Sequence, residues 1–220
     1  MKKAFTLIVN FILLFSTEIF SQEFSHKELY DSDFSFTEGL YLTKEDFSQN
    51  KPIEKSRINS QLDIDDLSYF EKLTEQKTIT LYDNLGQEKT IKTNEIFGFC
   101  SSNGIYVLNN GVFSKVGIIG SICHFLGSKV VLNPLYTPYI DYYYRPYTQV
   151  STVEPQQYFL IFETGEILEY NAQNLELILM KDPKLHDEYA ELSRKKKNSN
   201  IFYYMRLYNE KHPLYINVYK

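Results

Sequence analysis

The stretch Asn94–Leu126, NEIFGFCSSNGIYVLNNGVFSKVGIIGSICHFL, decides how this chain folds. Its apolar runs are separated by two Asn-Gly pairs, Asn103-Gly104 and Asn110-Gly111. Asn-Gly between apolar runs is the strongest short-range hairpin signal, because a two-residue type I′ turn needs positive φ at both central positions. Taking each pair as such a turn predicts a meander with Cys100 opposite Val107, and Val107 opposite Ser114. Side chains alternate along a strand. Ile96, Cys100, Ile105, Val107, Val112 and Val116 are therefore expected on one face, with Phe97, Phe99, Tyr106, Leu108 and Phe113 on the other. Both faces are apolar, which predicts a sheet covered on both sides.

Working outward, two further hairpins are legible. Thr78 to Tyr82 and Glu88 to Thr93 alternate around Asp83–Gly86, and Gln157 to Phe162 and Glu166 to Tyr170 flank Glu163-Thr164-Gly165. Gly39 to Leu42 reads as a short strand. Thr43 follows as an N-cap, with Asp46 three residues on completing a capping box for a short helix. The polar, charged segment 52–77 reads as solvated loop or edge strand. Towards the C-terminus, Asn171 caps an apolar helix, and Asp182-Pro183 starts another with Asp at N-cap and Pro at N1. Leu185, Tyr189, Leu192, Ile201, Met205 and Tyr208 follow at helical spacing, with a break at Asn198–Asn200 and an end at His212-Pro213. The expected fold is α+β: a mostly antiparallel meander sheet over 39–170, flat or curled towards a small barrel, with C-terminal helices over 172–211 packed on it. Residues 38–220 form one domain in this reading, preceded by an extended, partly ordered arm at 22–37.

Residues 1–21 read as a secretory signal peptide, with an uncleaved N-terminal anchor as the other reading. Lys2 and Lys3 supply the positive start, Phe5 to Phe15 an apolar run too short to span a bilayer comfortably, and Ser21 a small residue for cleavage. The expected location is therefore the periplasm, the outer-membrane periphery or the extracellular space, with no transmembrane span after cleavage. The chain carries a net charge of −5. Removing Lys2, Lys3 and Glu18 makes the remainder one charge more acidic. That balance excludes a general nucleic-acid role. The 19 Tyr and 16 Phe are ample for a core without Trp.

The most unusual composition is NPLYTPYIDYYYRPYT at 133–148. Prolines at this density exclude a helix and confine any strand to an edge. Tyr139, Tyr142, Tyr144, Arg145 and Tyr147 are the candidate ligand-binding residues, since stiffened tyrosine rings grip sugars or peptides at low entropic cost. The competing reading has the rings covering the core with their hydroxyls wet. Arg194–Lys197 reads as cations complementing a helix C-terminus, with anionic lipid or polysaccharide phosphate as the other reading. Asp63, Asp65 and Asp66 lack the glycine and the glutamate of a calcium loop. Cys100 and Cys123 admit two readings, a disulfide in an exported protein or two buried free thiols. On a straight strand Cys123 would fall far from Cys100 and on the opposite face, so a bond needs the chain to turn back at Gly117 or Gly120.

Catalytic motifs are wanting. Cys123 and His124 are strand neighbours pointing to opposite faces, and His124 reads as a packed or hydrogen-bonded interior residue. No Gly-x-Ser-x-Gly, His-Glu-x-x-His, phosphate loop or zinc spacing is present, so no cofactor or metal is expected. Several phrases carry a resemblance: Gly39-Leu-Tyr-Leu-Thr with Glu45-Asp-Phe and Asn50-Lys-Pro, Ile96-Phe-Gly-Phe, Ile118-Ile-Gly with Cys123-His-Phe, Phe162-Glu-Thr-Gly, and Tyr208-Asn-Glu-Lys-His-Pro. Together they resemble a family of small secreted proteins from Bacteroidetes-type bacteria. The resemblance implies an exported, single-unit protein; that family has no assigned activity, so it implies no site residues. The leading functional expectation is an exported non-catalytic binding or envelope-associated protein whose partner is a polysaccharide, a peptide or an envelope protein. The alternatives are a hydrolase of cell-wall or polysaccharide material using carboxylates not yet placed, and a structural subunit of an envelope assembly.

Overall fold

The computed structural model describes residues 25–83, 85–134 and 149–219. The expected signal peptide lies outside them. In chain order the strands are β1 (Ser25–Leu29), β2 (Gly39–Tyr41), β3 (Ile58–Asn59), β4 (Thr78–Tyr82), β5 (Glu88–Lys92), β6 (Gly98–Ser101), β7 (Gly104–Asn109), β8 (Val112–Ile118), β9 (Ile122–Pro134), β10 (Gln149–Ile161), β11 (Glu166–Glu169) and β12 (Tyr215–Tyr219). The α-helices are α1 (Lys44–Ser48), α2 (Tyr69–Thr74), α3 (Ala172–Leu179), α4 (Pro183–Ala190), α5 (Arg194–Ser199) and α6 (Ile201–Lys211).

The fold is α+β. A seven-stranded antiparallel sheet has the order β11-β10-β9-β8-β7-β6-β2, a sequential meander with β2 added at one edge, and it curls into a half-barrel. One face carries a single buried cluster in which Tyr41, Cys100, Val107, Val116, Phe125 and Leu160 meet Phe34, Phe36, Phe47 and Ile216. The other face is covered in two parts. A three-stranded sheet, β3-β4-β5, and helix α2 cover Leu40, Phe99 and Tyr106, while the C-terminal helices cover Ile122, Phe159 and Ile161. Sheet coverage on both sides is therefore as expected.

Local hydrogen bonds explain the helix starts. Thr43 and Asp46 form the capping box in both directions, with Asp46 N–H donating to Thr43 Oγ1 at 3.0 Å and Thr43 N–H to Asp46 Oδ2 at 2.9 Å. Asn171 and Asp182 accept from the N–H groups of Asn174 and Leu185 at 2.8 and 3.1 Å. Arg194–Lys197 opens its own helix, α5, instead of closing α4. Only Lys196 and Lys197 occupy a last turn, and Lys197 also pairs with Glu176 at 2.8 Å.

Several expectations are corrected. The β7–β8 turn is Asn110-Gly111 as predicted, with φ of 52° and 79°, and Val107 faces Ser114. The β6–β7 turn is Ser102-Asn103, with φ of 47° and 58°, so Cys100 faces Ile105 instead of Val107. Bonds from the upstream segment account for this placement. Phe36 N–H donates to Asn103 Oδ1 at 2.9 Å, and Ser102 N–H donates to Glu38 Oε1 at 2.7 Å. The register moves by an even number, so the faces of β7 survive. Ile96 and Phe97 precede β6 and exchange faces, Ile96 packing beside Phe99 and Phe97 against the cluster of Cys100; Val112 is 48% exposed.

The arm at 22–37 is tied down where it is described. Strand β1 pairs with β12 from Ser25↔Tyr219 to Leu29↔Tyr215, and Phe34 and Phe36 are buried. Within 52–77, β3 pairs with β4, and α2 buries Tyr69, Phe70 and Leu73. That helix lacks a side-chain cap bond and holds through this packing.

Candidate functional site

Tyr139, Tyr142, Tyr144, Arg145 and Tyr147 lie outside the described residues, in the stretch that joins β9 to β10. The geometry of its two ends is described. β9 and β10 stay in register from Ile122↔Ile161 to Pro134↔Gln149. Their neighbours stop early: β8 begins at Val112 and meets β9 at Val116↔Phe125 and Ile118↔His124, while β11 pairs with β10 only over Tyr158–Ile161. Lys129, bonded to Glu169 at 2.6 Å, and Ser128, whose carbonyl accepts from Asn110 Nδ2 at 2.6 Å, mark where flanking support ends. Beyond them the pairs from Val130↔Val153 outward form a two-stranded ribbon flanked by no other described strand. Pro155 sits in β10 opposite Ser128, past the reach of β11, where a strand edge tolerates a missing N–H. Val130 and Val153 share one face of this ribbon, continued by Leu126 in the supported part of β9, and the three are 53%, 68% and 60% exposed.

A second feature was not legible in the sequence. Strands β1 and β12, the C-terminal helices and the β10–β11 turn enclose a crevice of about 490 Å³. Its floor is apolar and buried, made by Ile122, Ile161, Phe162 and Ile178. Charged groups ring its mouth. Lys181 Nζ donates to Glu163 Oε2 at 2.8 Å, and this bond, with the charge of Lys181 and a smaller contribution from Lys27, holds the Glu163 carboxyl below its ordinary range. Asp182 is likewise held low, first by His212 Nε2 at 2.9 Å and then by the Leu185 N–H. Tyr208 lines the crevice with only 6% of its surface exposed, its ring tilted by 30° against His212 at 4.3 Å, and burial pushes its phenol up. Its hydroxyl makes no hydrogen bond among the described residues and is not a buried unsatisfied atom, so the oxygen keeps contact with solvent.

The remaining candidate chemistry is committed to structure. Ser121 Oγ donates to the backbone carbonyl of His212 at 2.6 Å, not to its ring. Partly buried His124 shares a hydrogen bond with Gln157 at 2.9 Å, its ring edge-on to Tyr170. Asp63 and Asp66 accept from the N–H groups of Asp65 and Ser68 at 3.0 and 2.8 Å, and no group of three or more His, Cys, Asp or Glu among the described residues could hold a metal ion.

Cys100 and Cys123 are both buried and both free, so of the two readings the structure has the free thiols. A register irregularity between Val116 and Ile118 and the reversal at Ile119–Ser121 return the chain onto β8. These bring Cys123 into the same apolar cluster as Cys100, correcting the opposite-face expectation. Burial pushes each thiol up to about 12. We expect neither to react with a disulfide reagent in the native protein at pH 8 and both to react after urea unfolding. Rapid native labelling of either would contradict this burial.

Compared with protein-family models, with curated proteins and with solved structures, the chain has no match.

Proposed function

We propose that this chain is an exported, non-catalytic binding protein that engages an extended polypeptide partner through the β9–β10 ribbon and the tyrosine-rich stretch it carries. Export rests on the Lys2-Lys3 start and the apolar run that follows. The observation that carries the binding reading is the ribbon beyond Lys129. Its outer edges are flanked by no described strand, and Val130 and Val153, directly opposed, are more than half exposed. Open edges of this kind accept an added strand through main-chain bonds, while alternate side chains supply specificity. Tyr139, Tyr142, Tyr144, Arg145 and Tyr147 stand between its two ends in sequence and add rings and a guanidinium for contact. The bonded state of Ser121, Glu163 and Asp182, and the buried thiols, favour binding over hydrolysis.

A library of extended peptides and soluble envelope-protein fragments, screened against the purified chain, tests this. A bound peptide at a hundred times its dissociation constant raises stability by about 2.7 kcal/mol. Replacing Tyr142 and Tyr144 with Ala is expected to weaken that binding about tenfold or more while leaving the melting temperature unchanged, since such aromatic anchors carry much of an interface's energy. Unchanged affinity in the double variant removes the tyrosine stretch from the site. A polysaccharide fragment binding where peptides do not overturns the polypeptide reading.

A further inference from the structure

We propose that the crevice between the β1–β12 ribbon and the C-terminal helices is a separate site for a small amphipathic organic anion. Its apolar body would rest on Ile122, Ile161, Phe162 and Ile178, and its carboxylate or phosphate head would lie between Lys27, Lys181 and the Tyr208 hydroxyl. Size and lining agree with this class. About 490 Å³ falls within the range of small-molecule sites, and an apolar floor with a few convergent polar groups is their usual construction.

The charge around the mouth selects the sign of the ligand. Lys27, Lys181 and His212 are the basic groups lining it, against the carboxylate of Glu163; Glu166 also acts on Lys181, and Asp182 and Lys211 stand beside His212 outside the lining. Asp182 is occupied by His212 at 2.9 Å and Lys211 at 4.0 Å. Glu163 is occupied by Lys181, which leaves Lys27 with no ion pair among the described residues. The Glu163 side chain is 78% exposed, so it can swing into solvent and yield Lys181 to an incoming anion. Tyr208, a crevice-lining residue only 6% exposed, adds a hydroxyl that makes no bond among the described residues and is open to solvent. A phenol donates to a carboxylate or phosphate oxygen, and such charge-assisted bonds are the strong ones. The site uses no residue of the β9–β10 ribbon, so either reading stands without the other.

Calorimetric titration of the purified chain with 3-phenylpropanoate, 2-phenylethyl phosphate, 3-phenylpropanamide and acetate tests the proposal. At least one of the two phenyl anions is expected to saturate a single site, and whichever binds tighter names the head group. The neutral amide should bind about tenfold more weakly, and acetate, lacking the apolar body, should not saturate. Tyr208→Phe removes one oxygen without disturbing the ring, and Lys27→Gln removes one exposed charge; each should weaken the anion about three- to tenfold. Glu163→Gln is the sharpest variant, because it frees Lys181 and removes the competing carboxylate, so the anion should bind tighter. Equal binding of anion and amide, weaker binding in Glu163→Gln, or no saturation by either phenyl anion below about 10 mM would overturn the assignment.

Discussion

Phe47→Ala should lower the stability of this protein by about 3–5 kcal/mol, the cost of removing a fully buried ring whose neighbours cannot close over the hole. Phe47 is 1% exposed and is the one buried residue of α1. Its ring lies 4.6 Å from Phe162, 5.2 Å from Phe97 and 5.5 Å from Tyr41, so β2, the residue before β6, the residue after β10 and a helix meet at one side chain. A five-residue helix is too short to persist by itself, and the capping box contributes only about 1 kcal/mol. Without the ring, α1 has lost its attachment and the cluster around Cys100 has lost part of one wall. Urea unfolding should show a lower midpoint with unchanged slope, while Glu45→Gln, on the exposed side of the same helix, should stay within about 0.5 kcal/mol. A loss below about 1 kcal/mol for Phe47→Ala would mean that α1 does not anchor this face.

What could be read from the sequence were the features closed by short-range bonds. Thr43 with Asp46, Asn171 with Asn174, and Asp182 with Leu185 each satisfy a helix start within three residues, and each is where expected. The Asn110-Gly111 turn is of the same kind. The first Asn-Gly pair misled because Asn103 answers to a distant partner: its carboxamide accepts from Phe36, so it takes the second central position of the turn and Gly104 enters the strand. The opposite-face placement of Cys123 held only for a straight strand; the chain bulges near Gly117 and turns back through Gly120, the two glycines that the sequence marked as able to do so without fixing that they would. The pairing of β1 with β12 joins opposite ends of the described chain, and neither strand has an alternating pattern strong enough to stand out. The crevice was illegible for the same reason. Lys27, Phe162, Lys181 and Tyr208 meet only because that pairing closes one wall and α6 docks on the sheet.

Beyond its apolar face, α6 is tied to the backbone of β9 by one side chain, which sets the second large expected effect. Asn209 of α6 acts as a strand neighbour for Ile122: the Ile122 N–H donates to Asn209 Oδ1 at 2.8 Å, and Asn209 Nδ2 donates to the Ile122 carbonyl at 2.8 Å. Ile122 is fully buried, so Asn209→Ala strands one donor and one acceptor away from water and should cost about 2–4 kcal/mol. Asn209→Asp keeps the acceptor but loses the donor, and sets a carboxylate against a carbonyl, so it should be no better. Gly120 explains how the amide approaches so closely. A Cβ at that position would lie 2.5 Å from Asn209 Nδ2 and 2.7 Å from its Cγ, so Gly120→Ala must push Asn209 off Ile122. The two substitutions therefore remove the same pair of bonds by different routes, and their costs should not add. In urea unfolding, Gly120→Ala should be costly in the parent protein and nearly free once Asn209 is Ala, a coupling of about 1–3 kcal/mol in the double-mutant cycle. Additive losses would instead mean that Gly120 is needed for the backbone of the β8–β9 turn itself, and that α6 is held to the sheet by its apolar face of Ile201, Met205 and Tyr208 without help from Asn209.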